Sequence, residues 1–263
     1  LHTSGNLTQA AGAAGVVTGT QLRLISTGGA VDLTAAANQV ARVAGLAATD
    51  FSLANDLALA VGPILTSFGI EGGTGRVSLT VNNGLGLTVE AGGSITTAVG
   101  GNVTLRANEM AINGRVAAPG GEINLRVAAA GVGVTLGGVA GGTLSLDAAA
   151  LAQLGGSGPD GTSVPAARLR ITSANGIDLA GNLALRDRFG ALELEGFGAV
   201  TQSGGSLDVG RLVGRMTGGF SVDRAAASNR IDELAVVVTG GAAGTVSVRA
   251  TDPQATLLTV VND

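Results

Sequence analysis

Val103-Thr104-Leu105-Arg106 and Ile123-Asn124-Leu125-Arg126 spell one pattern twice, 20 residues apart. Each copy follows a glycine pair and one polar residue, Gly100-Gly101-Asn102 and Gly120-Gly121-Glu122. Apolar and polar residues alternate strictly, which predicts a strand with one buried face. The same unit stands upstream as Val31-Asp32-Leu33, Phe51-Ser52-Leu53 and Val77-Ser78-Leu79. Downstream it returns as Leu144-Ser145-Leu146, Leu169-Arg170-Ile171, Leu192-Glu193-Leu194, Phe220-Ser221-Val222 and Val246-Ser247-Val248. The nine steps from Val31 to Val246 cover 215 residues, a mean near 24.

A period of this length fits one turn of a β-solenoid built from short strands and corners. A second strand of each coil is readable in Leu57-Ala58-Leu59, Leu85-Gly86-Leu87-Thr88-Val89, Met110-Ala111-Ile112 and Ile177-Asp178-Leu179. One coil alone exposes its apolar face; stacking buries it and pairs the backbone groups with the coils above and below. Left-handed β-helices keep a rigid hexapeptide and an 18-residue turn, and spacings of 20 to 28 argue against them. The expected fold is therefore all-β, a right-handed parallel β-helix. It has about ten to eleven coils and runs as one continuous unit over residues 1–263, a rod of roughly 50 Å at the inter-strand spacing. The Ala-rich segments Leu33 to Leu46 and Leu146 to Leu154 are read as loops or short helical turns outside the coils.

A longer repeat lies over the coils. Thr8-Gln9, Gly28-Gly29, Asn38-Gln39-Val40 and Leu46 recur as Thr201-Gln202, Gly218-Gly219, Asn229-Arg230-Ile231 and Leu234, at offsets of 193, 190, 191 and 188. One long unit is expected over about 8–200 and the start of a second over about 201–263. The Val200-Thr201-Gln202-Ser203-Gly204-Gly205-Ser206-Leu207 segment, the Gly-Gly-x-Val-x-Leu units and Ala37-Asn38-Gln39-Val40 resemble the repeat region of filamentous-haemagglutinin-like adhesins of two-partner secretion. That resemblance implies a β-helical filament exported through an outer-membrane secretion partner and used for adhesion or biofilm contacts. The family's N-terminal secretion domain, with its Asn-Pro-Asn-Gly type motifs, is not in this sequence.

Composition narrows the chemistry. Cys, Trp, Tyr and Lys are all missing, so the 15 basic residues are all Arg. No thiolate, disulfide, Cys-ligated metal, Schiff-base lysine or Lys–Asn cross-link is available. A net charge of −4 without a basic cluster speaks against a nucleic-acid partner. No apolar run reaches the roughly 18 residues of a spanning helix. The opening Leu1-His2-Thr3-Ser4-Gly5 has no signal-peptide pattern, and the chain is expected to be an interior stretch or a processed product.

The candidate sites are few. Gly155-Gly156-Ser157-Gly158-Pro159-Asp160 matches the start of a calcium nonapeptide, but in a single copy, and Gly155 to Pro165 is expected to be an exposed loop without calcium. Gly69 to Gly75 lacks the setting of a phosphate loop and is read as corners. Glu193, Glu195 and Asp223 would share an outward face and form an acidic group, with Arg170 as counter-charge. His2, the sole histidine, is read as an unstructured terminal residue.

No catalytic, cofactor or metal residue is assigned. The chain is expected to be a non-enzymatic structural and adhesive shaft, extracellular at a bacterial surface, meeting a host or bacterial receptor or glycan. A self-assembling filament or surface-layer subunit, stacking end to end, is the alternative, and a degenerate β-helical polysaccharide lyase or hydrolase a further one. Stacking equivalent positions also predicts neighbours. Arg170 should face Glu193 and Arg126 should face Asp147. Arg106/Arg126 and Glu195/Asp223 should meet as like charges, and Leu144 and Leu146 should join the column of Val103 and Ile123.

Overall fold

The computed structural model describes residues 1–141, 143–156, 164–239, 244–250 and 259–260. Strands take 56% of the described residues and helix 3%, in parallel coils stacked about ten turns high. On the first face Val77 pairs with Val103, Val103 with Ile123, Ile123 with Leu169, and Leu169 with Leu192. All five side chains are fully buried. The alternation read from sequence is thus the alternation of core and surface along each strand. A single apolar core runs from Leu24 to Leu234. Burial of each Val or Leu in it contributes about 1.5–3 kcal/mol.

A second face carries Leu59–Val61, Gly86–Val89 and Glu109–Ile112, then Gly133–Leu136, Ile177–Leu179, Val200–Gln202, Phe220–Val222 and Val246–Val248. The third face holds Thr18–Ser26, the end of Val31–Ala47, Gly69–Gly72, Ser94–Thr97, Arg115–Ala117 and Leu154–Gly155. Val31–Ala47 is one strand that bends across the faces, pairing with Phe51, with Ala60 and with Ile70 in turn. Its Ala-rich middle continues the strand, in place of the expected loop, through a register shift between Leu33 and Asn38, and pairing resumes at Asn38 with Asn55 and at Gln39 with Thr18. Leu146 to Leu154 does contain the helical turn Ala148–Ala152, capped by the Asp147 carboxylate on the Ala150 N–H at 2.7 Å.

Corners are tied from coil to coil by side chains. Asn6 accepts from the Ala30 N–H at 2.9 Å, Asn102 from Glu122 at 2.7 Å and Asn182 from Ser206 at 2.9 Å. Each satisfies a backbone donor that no strand covers at the bend.

Three register expectations need correction. Leu144-Ser145-Leu146 pairs with Val134-Thr135-Leu136 on the second face, not with Ile123. That coil carries two second-face strands, and the extra one imitates a coil repeat in the spacing. Asp147 consequently caps a helix, and Arg126 faces Arg106 and Thr172. Phe220 and Val246 also belong to the second face, so Glu195 meets Arg215 in place of Asp223. The first face continues instead through Leu212 and Leu234, whose companions Val213 and Ala235 are apolar and hide the alternation. In the second strand of an early coil the inward residues are Leu59 and Val61, while Leu57 is exposed.

Gln9 with Asn38 and Gln202 with Asn229 make matching hydrogen bonds. Gln9 donates through Nε2 to Asn38 Oδ1 at 2.5 Å, and Gln202 to Asn229 Oδ1 at 2.9 Å. Both asparagines are fully buried. Asn38 Oδ1 also accepts from the Val17 N–H and its Nδ2 donates to the Leu33 and Ala54 carbonyls. Asn229 makes the same set with Leu207, Val222 and Arg249. Leu7-Thr8 lies on the first face, whereas Val200-Thr201 lies on the second.

Candidate functional site

The expected acidic group is dispersed. Glu193 does sit opposite Arg170, but its side chain is only 3% exposed. Arg168 and Arg170 reach its Oε2 at 2.5 and 3.1 Å, and Arg215 approaches Oε1 at 3.6 Å. Both oxygens thus face arginines from the coils on either side of Glu193's own. Burial works against the Arg170 cation, yet Glu122, Glu193 and Glu195 together outweigh it and push its pKa up. Asp223 stands on another face, where hydrogen bonds from Ser247 and Ser221 hold its carboxyl below the usual range. These three carboxylates do not converge on one reacting position.

The other candidates resolve variously. Gly69–Gly72 is a third-face strand, and only Gly73 and Gly75 lie at the corner that follows. His2 pairs with Ile25 in a short strand and is exposed. Ser157 to Asp160 of the calcium-like segment lie outside the described residues. Among the described residues no three His, Cys, Asp or Glu side chains cluster to hold a metal ion. No helix among them is long and apolar enough to cross a membrane.

Two features were not read from the sequence. The first is Arg188, whose guanidinium donates to the Leu151 and Leu154 carbonyls and stacks 5.8 Å from the Phe189 ring centre. Burial pulls its pKa down. Among the described residues, Leu154–Gly155 pairs only with Arg115–Ala117, so Arg188 satisfies carbonyls that no strand covers on the other side.

The second is a groove of about 470 Å³ on the third face. Its floor is formed by Ile25, Leu46, Glu71, Ser94 and Thr96 from four successive coils. The segment 62–68 walls one side, folded back by reciprocal hydrogen bonds between Ile64 and Ser67 at 2.8 and 3.0 Å. Leu65 at its tip has φ 55°, a left-handed conformation that is a genuine outlier for a bulky residue. Arg23 braces the wall, donating to Ser67 Oγ at 2.9 Å and Thr66 Oγ1 at 3.1 Å. Phe68 at the rim is 65% exposed, although Phe51, Phe189 and Phe220 are buried. The sequence signal for this wall is an interruption: Gly62-Pro63 stops one strand and Gly69 starts the next, leaving apolar residues between them with no coil position to fill. No protein-family model, curated protein or solved structure matches the chain.

Proposed function

We propose that the chain is a structural and adhesive shaft of a secreted bacterial surface exoprotein. In this reading it is carried outside the cell through an outer-membrane partner and meets receptors or glycans on a host or bacterial surface. The supporting observation is the first-face ladder, in which each strand from Val31 to Met216 pairs in parallel with the coil before it and the coil after it. Such a stack converts chain length into reach at about 4.8 Å per coil. The burial of Glu193 supports the same reading, since a carboxylate only 3% exposed beneath its arginines is out of a substrate's reach.

Small-angle scattering of the purified chain should give the profile of a stiff rod, and beads coated with it should adhere to cell surfaces where beads coated with heat-denatured chain do not. Failure of native beads to adhere overturns the adhesive part. Release of unsaturated uronides from polysaccharides would favour a lyase instead, and end-to-end fibres in electron micrographs would favour a filament subunit.

A further inference from the structure

We propose that the third-face groove binds an oligosaccharide in which uronate and neutral sugar rings alternate. This deepens the reading of the chain as a contact-making shaft and rests on it.

The first argument is the register. Arg23 pairs with Ala44, Gly69 with Ser94, and Ser94 with Arg115, while the pairing of Gly45 with Ile70 sets Ala44 beside Gly69. One row of outward positions therefore reads Arg, Ala, Gly, Ser, Arg across five coils. Ala44 is itself fully buried, so the trough opens over Gly69 and Ser94, between arginines about 19 Å apart along the rod at the inter-strand spacing. The trough cannot be narrowed at its middle, because a Cβ on Gly69 would lie 1.9 Å from the Ser94 carbonyl oxygen.

The second argument is charge order. In the adjacent outward row Leu46 pairs with Glu71 and Glu71 with Thr96, which puts an exposed carboxylate two coils from each arginine. Along the axis the charges run positive, negative, positive. A complementary ligand carries an anion at each end and hydrogen-bond donors between them. A neutral glycan brings no anion to either arginine, and a uniformly charged one sets an anion against Glu71.

The third argument is preorganisation. Arg23 spends two N–H donors on the wall and keeps three of its five in a fixed plane, which suits the two oxygens of a carboxylate. The Phe68 ring at the rim offers an apolar face for sugar C–H groups. A peptide fits less well: the groove crosses strands whose backbone groups are already paired on both sides, so an extended chain would gain no ladder.

The test is titration of the whole chain, isotope-labelled for amide NMR, with a tetrasaccharide alternating glucuronate and N-acetylglucosamine. Shifts are expected at Phe68, Glu71, Ser94 and Arg115. Arg115→Gln should weaken binding about tenfold, the scale of one charge-assisted hydrogen bond. Ser94→Leu, which fills the trough and keeps both arginines, should weaken it at least as much. Glu71→Gln should let a galacturonate tetrasaccharide, refused by the unaltered chain, bind as well as the alternating one. Absence of shifts at millimolar ligand, equal binding of a neutral N-acetylglucosamine tetramer or of a sulfated one, or unchanged affinity in Ser94→Leu would each overturn the assignment. Thermal melts of each variant separate lost binding from lost folding. Scattering on the same samples separates the two readings: no titration by an intact rod removes the groove alone, whereas a compact particle removes the shaft.

Discussion

Arg170 reaches Glu193 across one coil step, Nη2 to Oε2 at 3.1 Å, and the same carboxylate also takes Arg168 and faces Arg215. A nearly buried anion among three half-exposed cations holds the outer surface of three coils in register. Glu193→Ala should therefore cost more than loss of any one arginine. Removing the partner of a fully buried pair costs about 3–5 kcal/mol, and solvent screening of the arginines brings the expected loss to about 2–3 kcal/mol. Arg168→Ala should cost about 1 kcal/mol or less, since Arg170 and Arg215 remain. Urea denaturation of the two variants gives the comparison, and equal losses would show that the cluster does not act through Glu193.

Asn38 is fully buried and exchanges hydrogen bonds with Gln9, Val17, Leu33 and Ala54. Asn38→Leu removes the bonds to one backbone N–H and to the Leu33, Ala36 and Ala54 carbonyls and should destabilise by about 3 kcal/mol or more. Asn229→Leu should cost a similar amount, and Gln9→Ala only about 1 kcal/mol, because Gln9 is partly solvated. Denaturation midpoints at constant m-value are the measure. A cheap Asn38→Leu would mean that water replaces the amide.

Gly214 is inward-facing where Phe220 fills the core: a Cβ at 214 would lie 2.5 Å from Phe220 Cε2. Gly214→Ala should cost about 1–3 kcal/mol by overpacking. Combined with Phe220→Leu it should cost less than the sum of the two single losses, with a coupling of at least about 0.5 kcal/mol. Strict additivity in a double-mutant cycle would place the strain elsewhere.

Arg186 bridges Asp208 and Asp232, bonding Asp208 at 2.7 Å. The Arg186 hydrogen bond is the main reason the Asp232 carboxyl titrates below its usual 3.8. A depressed folded-state pKa means that this contribution is present above the unfolded carboxylate pKa and is lost as pH falls through the folded one. Stability should decline below about pH 4, and the decline should be shallower in Asp232→Asn. Both aspartates are well exposed, so the difference should stay within about 1 kcal/mol. Melting temperatures from pH 2 to 7 test it, and parallel curves would exclude Asp232 as a contributor.

The coil repeat was legible because core and surface alternate strictly wherever a strand has one wet face, as at Val103-Thr104-Leu105. It failed where that premise failed. At Leu212-Val213 the outward residue is itself 5% exposed, so the pattern vanished and Phe220, the next clean alternation, took its place. At Leu144 an added strand with a perfect alternation made one coil look like two. Arg170 opposite Glu193 was readable from register alone; Arg168, Arg215 and Glu122 around them were not, because the unit was anchored on its apolar residues. The groove was invisible for a different reason: Arg23, Glu71 and Arg115 are far apart in sequence and meet through corner lengths that differ from coil to coil.

The two Gln–Asn clasps also count turns. From Leu7 the first face is visited at Val31, Phe51, Val77, Val103, Ile123, Leu169 and Leu192, seven steps, before the chain moves one face on to Val200. The matching segment thus returns after seven turns and a third. A segment recurring at that interval would point in a new direction each time and come back into line only at the third recurrence. Attachment points set on such a rod would be spread around its circumference, and a surface approaching from any side would meet one.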